Sequence, residues 1–439
     1  MAKMLVGASK VDITPSSPVW MDGMIREHKS VGVHDRLLAR ALYLSSGLPN
    51  KGCVIVSADV CAIRYEDAQV VREKASARTG IPFENIVIAA THTHSGPATK
   101  GFFNPVEEGY LAEFREQLVS LIEQASKEPR EAIIGCVSSE ERTISHYRRL
   151  LADDGHVVMN WEPWPAERIV RALGEPDHEV GVIVAAEDTG SRKCLCVAFN
   201  HAGHPNVMSG ENYLLSADYP GYACARIEEA VGGMAMFLNG AEGSVDIDGL
   251  KDRDWEGVAR AGSALADAVI QAVKRVDLCS DPPFCTIGAR YALPPRRITP
   301  AELEWAEIVL ASTGGKIQAH ADGIGDDFKA ALYKNLAAIE DPIAVEQTCI
   351  ALGDTALLSF PGELFAEIGR EIKTRSPFAK TYIIGLANGS VGYVPTRESI
   401  LQGGYEVDTR RVGDESAEIV INQSLRLLNS AFAKIKQEG

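Results

Sequence analysis

Residues 85–97 read NIVIAATHTHSGP, an apolar run that stops abruptly at Thr91-His92-Thr93-His94 and a Gly-Pro turn. A short continuous apolar stretch bounded by turn residues is the signature of a strand buried on both faces. The same pattern returns at 194–206, CLCVAFNHAGHPN, and at 234–246, MAMFLNGAEGSVD. Further buried strands are expected at Cys53–Ser57, Ile133–Val137, Val180–Ala185, Thr355–Ser359 and Tyr382–Leu386. Helix-period segments lie between them: Glu66–Arg78, Glu107–Glu128, Tyr219–Val231, Trp255–Val273, Thr299–Ser312, Asp326–Ile339, Pro361–Thr374 and Ser416–Lys436. Thr299, with Pro300 next and Glu302 three positions on, has the form of a capping box. Strands interleaved with helices predict an α/β fold of mixed β-sheets flanked by helices, with functional residues on the loops that follow strands. The stretch from Arg142 to Pro176 reads as an elaborated loop or hairpin, and no repeat or low-complexity linker interrupts the chain. Residues 1–439 are therefore read as a single catalytic domain.

Composition narrows the classes of function. With 46% hydrophobic and 24% charged residues the 439-residue chain has ample core material. A net charge of −16 argues against nucleic acid or an anionic membrane as the main partner. No segment approaches the roughly 18 to 20 apolar residues of a membrane span, and the N-terminus MAKMLVGASKVDITP lacks a secretory apolar core. The expectation is a cytoplasmic protein, acting on a small molecule and free to form a homo-oligomer. Nine cysteines without a CxxC pair, mostly in apolar strand-like surroundings, read as reduced core thiols and not as metal ligands.

The strand exits carry the chemistry. His92 and His94 stand at i and i+2, where an extended backbone would turn both rings to one face. Neutral imidazole is the commonest protein ligand for zinc, so His-x-His is a metal signal of moderate specificity, the alternative being two polar loop histidines. His201 and His204 repeat the arrangement in a chain with ten histidines. The turn Gly240-Ala241-Glu242-Gly243-Ser244-Val245-Asp246 holds a hydroxyl between two acids. It departs from the Gly-x-Ser-x-Gly nucleophile elbow, which argues against a covalent serine mechanism. Phe360-Pro361-Gly362-Glu363 reads alone as a helix start with an acid in its first turn, and Tyr393 in Gly392-Tyr393-Val394 reads alone as a packing residue.

Seven segments, ASKVDITP, THTHSGP, NHAGHPN, SADYPGY, NGAEGSVD, FPGELF and NGSVGYVPT, follow one another from Gly7 to about Tyr405 in the order and with the approximate spacing of the catalytic domain of neutral, non-lysosomal ceramidases. The chain resembles that family over almost its whole length. The resemblance implies a zinc ion, one per chain, held by His92, His204, Glu363 and Tyr393. It also implies that His94 and Tyr405 reach the polar centre of the substrate, that Gly23 and Arg148 make further substrate contacts, with Arg149 as an alternative to Arg148, and that Ser244 joins His94 and Tyr405 as a catalytic candidate. Asp59, Glu242, Asp218 and Asp246 are candidates for orienting the ligands. Two departures bear on the substrate. The family turn reads Asn-x-Gly-Asp-Val-Ser-Pro-Asn, of which this chain keeps Asn239 and Ser244 outright. The chain is also expected to lack the family's C-terminal immunoglobulin-like domain and secretion signal. The implied activity is zinc-dependent hydrolysis of a linear amide (N-acyl) bond, in a small soluble substrate or a ceramide-like one. An ester or glycoside hydrolase on the same scaffold, and a non-catalytic metal-containing binding protein, are the alternatives. Trp161 and Trp164 read as buried packing or as an aromatic wall for a sugar-like or acyl group.

Overall fold

The computed structural model describes residues 3–48, 52–101, 103–251, 253–320 and 322–438. Eight strands form one sheet, in the order Met234–Asn239, Cys194–His201, Glu179–Glu187, Arg130–Glu140, Leu5–Asp12, Leu38–Ser45, Gly52–Ala58 and Ile86–Ala90. Its two outermost pairs are parallel and the rest antiparallel. The sheet curls until its edge strands approach each other. Ser57 Oγ donates to the Phe237 carbonyl at 2.5 Å, and Asn239 Nδ2 donates to the Thr91 carbonyl at 3.2 Å. This closure brings the exits of the 86–90 and 234–239 strands, from opposite edges, to one end of the molecule.

A second sheet, ordered Phe284–Leu293, Ile343–Leu352, Thr355–Ser359 and Lys380–Ile384, packs inside the curl. Ile55, Val87, Ile183, Met236, Leu357 and Ile384 meet in the core between the two sheets. Helix pairs Tyr65–Thr79 with Glu108–Lys127, and Asp218–Val231 with Trp255–Val273, cover the outer face of the large sheet. Helices Ala366–Arg375 and Ser416–Glu438 cover the second. Strands covered on both sides bury nearly every side chain, which is why they read as apolar runs. Each fully buried Val, Ile or Leu among them contributes roughly 1.5–3 kcal/mol.

The expected strands and helices are present, and Thr299 forms the full capping box with Glu302. One expected boundary is wrong in an informative way. The helix read from Pro361 begins at Ala366, because Glu363–Leu364 instead pairs in parallel with Tyr393–Val394. That two-residue ladder holds Glu363 and Tyr393 side by side. The stretch 142–176 folds into a small sheet of Arg149–Ala152, Val157–Met159 and Ile169–Ala172, the elaborated hairpin expected. Among the described residues no helix is long and apolar enough to cross a membrane.

Candidate metal centre and its cavity

His92 follows the strand Ile86–Ala90 with φ of 76°, a left-handed conformation rare for a residue with a side chain. Such backbone costs on the order of 1–3 kcal/mol and persists where the surroundings enforce it. Here the loop after Gly52–Ala58 does so: Thr91 N–H donates to the Ala58 carbonyl at 2.9 Å and His92 N–H to the Val60 carbonyl at 3.0 Å. The two rings of His92 and His94 converge as expected, but not by strand alternation, since the strand ends at Ala90. The kink at His92 turns the rings nearly perpendicular, at 86° and 4.9 Å between centroids.

His92 Nδ1 bonds the Cys61 carbonyl at 2.7 Å, which places the ring's proton on Nδ1 and a lone pair on Nε2. That Nε2 lies 3.1 Å from His204 Nε2, 3.4 Å from His94 Nε2 and 3.6 Å from Glu363 Oε2. Glu363 Oε2 is buried and accepts no hydrogen bond from the described residues. Such a carboxylate needs a positive partner. Burial holds the rings of His94 and His204 well below the usual imidazole pKa, and the neighbouring His92 adds to the effect, so both stay neutral. Two imidazoles and an uncompensated carboxylate with ligand atoms within 4.8 Å of one another fit a divalent cation of borderline hardness.

Tyr393 is buried at the same cavity. Burial first, and then Glu363, raises its phenol well above the ordinary value. Tyr405 packs edge-on against it, with centroids 5.8 Å apart, and Gly23, His94 and Tyr405 line the cavity with it. Arg148 lines it as well, whereas Arg149 sits behind, donating to Glu406 and to the carbonyls of Ser399 and Gly403. Of the two arginines, Arg148 is the one that faces the site. Gly23, at φ 90°, backs directly onto His94: a Cβ there would lie 2.4 Å from His94 Cγ. Gly23→Ala is therefore expected to push the His94 ring aside, lowering turnover by more than about tenfold while metal content matches that of the parent protein. Turnover and metal analysis of that variant check this.

Ser244 is placed elsewhere. Its Oγ accepts the Ala366 N–H at 2.9 Å and bonds Glu367 Oε2 at 3.3 Å, serving the start of the Ala366–Arg375 helix and not the cavity. His201, the other histidine of the second motif, is structural, held by the Glu179 carbonyl at 3.2 Å and Ser145 Oγ at 3.3 Å. Of the acids considered for orienting the ligands, Asp59 is committed to Arg40 and Asp218 to the backbone N–H groups of Tyr219 and Met208. Glu242 is fully buried without a hydrogen-bond partner among the described residues, and burial together with Glu363 raises its carboxyl well above the usual range. Asp246 lines the cavity itself.

The sequence reading missed four contributors. Cys61 supplies the carbonyl that orients His92, while its thiol, 3.5 Å from Nδ1, is pushed well above the usual range by burial and so stays protonated. Lys100, six residues past His94, lines the cavity, donates to the Ser390 carbonyl at 2.8 Å, and is lowered to about 8 by burial. Asp322 and Phe103 close the outer side. Only Lys100 carries a sequence cue, its place in the turn after the histidine pair.

Fold and site together define an α/β protein with a buried nitrogen and oxygen donor group able to hold a metal ion. The sequence family described as neutral/alkaline non-lysosomal ceramidase, N-terminal, matches residues 4–245, and the chain belongs to it. Neutral ceramidase of Pseudomonas aeruginosa is 27% identical over 267 residues, covering 53% of this chain and 34% of that protein, so the match spans about a third of the curated relative's length. Among solved structures, neutral ceramidase from Pseudomonas aeruginosa aligns with a TM-score of 0.76 at 20% identity, covering 100% of this chain and 75% of that one. A ceramidase complexed with C2 aligns with a TM-score of 0.75 at 20% identity, covering 98% and 75% respectively. The mixed-sheet fold is that of these neutral ceramidase structures.

Proposed function

We propose that the protein is a zinc-dependent hydrolase that cleaves a linear amide (N-acyl) bond, with one zinc ion per chain held by His92, His204, Glu363 and Tyr393. The observation that carries this reading is the meeting of His92 Nε2, His204 Nε2 and Glu363 Oε2 at the floor of a cavity that Tyr393, His94, Arg148 and Tyr405 also line. Family membership supports the amide, since the relatives are named for it. Bound zinc supplies a Lewis acid for the carbonyl and a lowered pKa for water. The chain's own groups do the rest. Tyr405, its phenol raised by burial, remains an O–H donor for the oxygen of the scissile carbonyl. His94, neutral through burial, takes a proton at Nε2 and returns it to the departing amine. Arg148, bound to Glu406 Oε1 at 2.6 Å and to the Gly243 carbonyl at 2.8 Å, fixes the wall on which both tyrosines rest.

The test is metal analysis of the purified protein followed by hydrolysis assays on matched N-acyl amides, esters and glycosides. Stoichiometric zinc with amide cleavage is the expected result. Preferential cleavage of esters or glycosides would replace the reaction, and stoichiometric zinc without turnover of any class would leave a binding protein.

A further inference from the structure

Away from Glu363 the cavity has a second wall, formed by Asn206, Asp246, Trp161 and Asp322. Asp246 is 1% exposed. Its Oδ1 accepts the Ile247 N–H at 2.7 Å, and its Oδ2 accepts nothing from the described residues. Asn206 is 4% exposed, and its Oδ1 is likewise without a donor. Leaving one buried acceptor unsatisfied is costly, more so when it is charged. Two of them, on residues that line one cavity, call for O–H or N–H groups that the described residues do not provide there.

Trp161 completes the wall, its ring edge-on to Tyr405 at 5.4 Å and beside the Arg148 guanidinium at 5.5 Å. It is not buried packing: the same indole also lines the next space outward. That space is a cleft of about 420 Å³, within the range of small-molecule sites. Its rim is acidic and polar, with Glu162, Asp322, Asp326 and Asp408 against the one base Lys329, which Asp408 neutralises at 2.6 Å. Its aliphatic lining comes from Val157, Pro163 and Ile324. Hydrocarbon chains would need a continuous apolar trough, and among the described residues neither the cleft nor the inner wall offers one. A flat aromatic face beside buried acceptors, opening on a wet acidic cleft, suits a compact ring or chain rich in hydroxyls.

Resting on the amide-hydrolase reading above, we infer that the substrate is a small N-acylated amino sugar or amino polyol, whose hydroxyls donate to Asp246 Oδ2 and Asn206 Oδ1 while its carbon framework lies along Trp161. One water is added across the C–N bond. The products are the free carboxylate and the amino sugar or amino polyol as its ammonium ion.

Zinc-loaded full-length protein is assayed on N-acetylglucosamine and N-acetyl-1-amino-1-deoxyglucitol, and in parallel on N-acetylhexylamine and N-acetylsphingosine. At least one hydroxylated amide should show kcat/KM about 100-fold above N-acetylhexylamine, as expected where buried acceptors are left unpaired by the poorer substrate. Asp246→Asn and Trp161→Ala, shown folded by thermal melting, should each lower that ratio about tenfold, chiefly through KM. Equal or faster hydrolysis of N-acetylhexylamine or N-acetylsphingosine, or a ratio unmoved in both folded variants, would overturn the inference and leave the amide-hydrolase reading intact. If no amide is cleaved, calorimetric titration with N-acetylglucosamine separates the two. Binding that Asp246→Asn weakens would sustain the ligand class and defeat the reaction, whereas absence of binding would defeat both.

Discussion

His92→Gly and Glu363→Gln should each purify without stoichiometric zinc and lose amide hydrolysis by more than the ~10–100-fold that outer-shell changes typically cost. The two substitutions are chosen to leave the fold standing. Glycine accepts the left-handed φ of 76° at position 92 without strain, so this change removes the imidazole and relieves the backbone together. Glutamine at 363 keeps the shape and replaces a buried carboxylate whose Oε2 accepts no hydrogen bond from the described residues. Without metal, Glu363→Gln should therefore melt higher than the metal-free parent. With metal the order should reverse, because ligand binding to the folded state stabilises only the chain that can bind it. His201→Gln is the control, a buried histidine of the same motif bonded to Glu179 and Ser145, and it should retain its zinc. Metal analysis, amide-hydrolysis assays and melting curves with and without chelator together read out every arm. Full zinc occupancy in both His92→Gly and Glu363→Gln would remove the centre.

Much of this site could be read before the fold was seen, because its ligands follow strands whose sequence is unmistakable. Thr355–Ser359 has the limits read for it, since burial on both faces leaves no sharp polar interruption. Two of the strands that escaped are of another kind. Phe284–Leu293, at a sheet edge, is buried only at its ends and alternates between partly exposed and exposed positions along its middle, and Ile343–Leu352 carries Glu346, Gln347 and Thr348 at its centre, where Glu346 pairs with Arg72 and Gln347 bonds the Ser359 carbonyl and Ser424. Tertiary partners make those polar residues acceptable, and no local pattern announces a partner far along the chain. The same limit hid the metal-side detail. A backbone carbonyl such as that of Cys61 has no sequence signature, and Asp322 reaches the cavity from a loop between two helices with no motif around it. Resemblance offered Glu363 and Tyr393 as ligand candidates, and the structure adds the reason they lie side by side: a two-residue parallel ladder where the local sequence suggested a helix.

Glu406→Gln should be the most damaging single change outside the proposed ligands. Glu406 is wholly buried, with one oxygen 2.6 Å from Arg148 Nε and the other 2.8 Å from Arg149 Nη1. Both arginines are buried too, so one carboxylate serves two guanidinium groups with no bulk water to share the charge. Removing one member of such a set leaves an uncompensated charge and typically costs about 3–5 kcal/mol. The effect should extend to function, because the same carboxylate fixes Arg148, and Arg148 stands over the rings of Tyr393 and Tyr405 at 5.2 and 5.8 Å. Chemical denaturation should therefore show a large loss of stability together with weakened zinc retention. Glu131→Gln offers the comparison, since its bond to Lys3 at 2.7 Å joins side chains that are half exposed or more. Water screens that pair, and its loss should leave the transition unmoved. A Glu406→Gln transition that shifts no further than the Glu131→Gln one would mean that the arginines find other partners, and that the wall carrying Tyr393 and Tyr405 does not depend on this carboxylate.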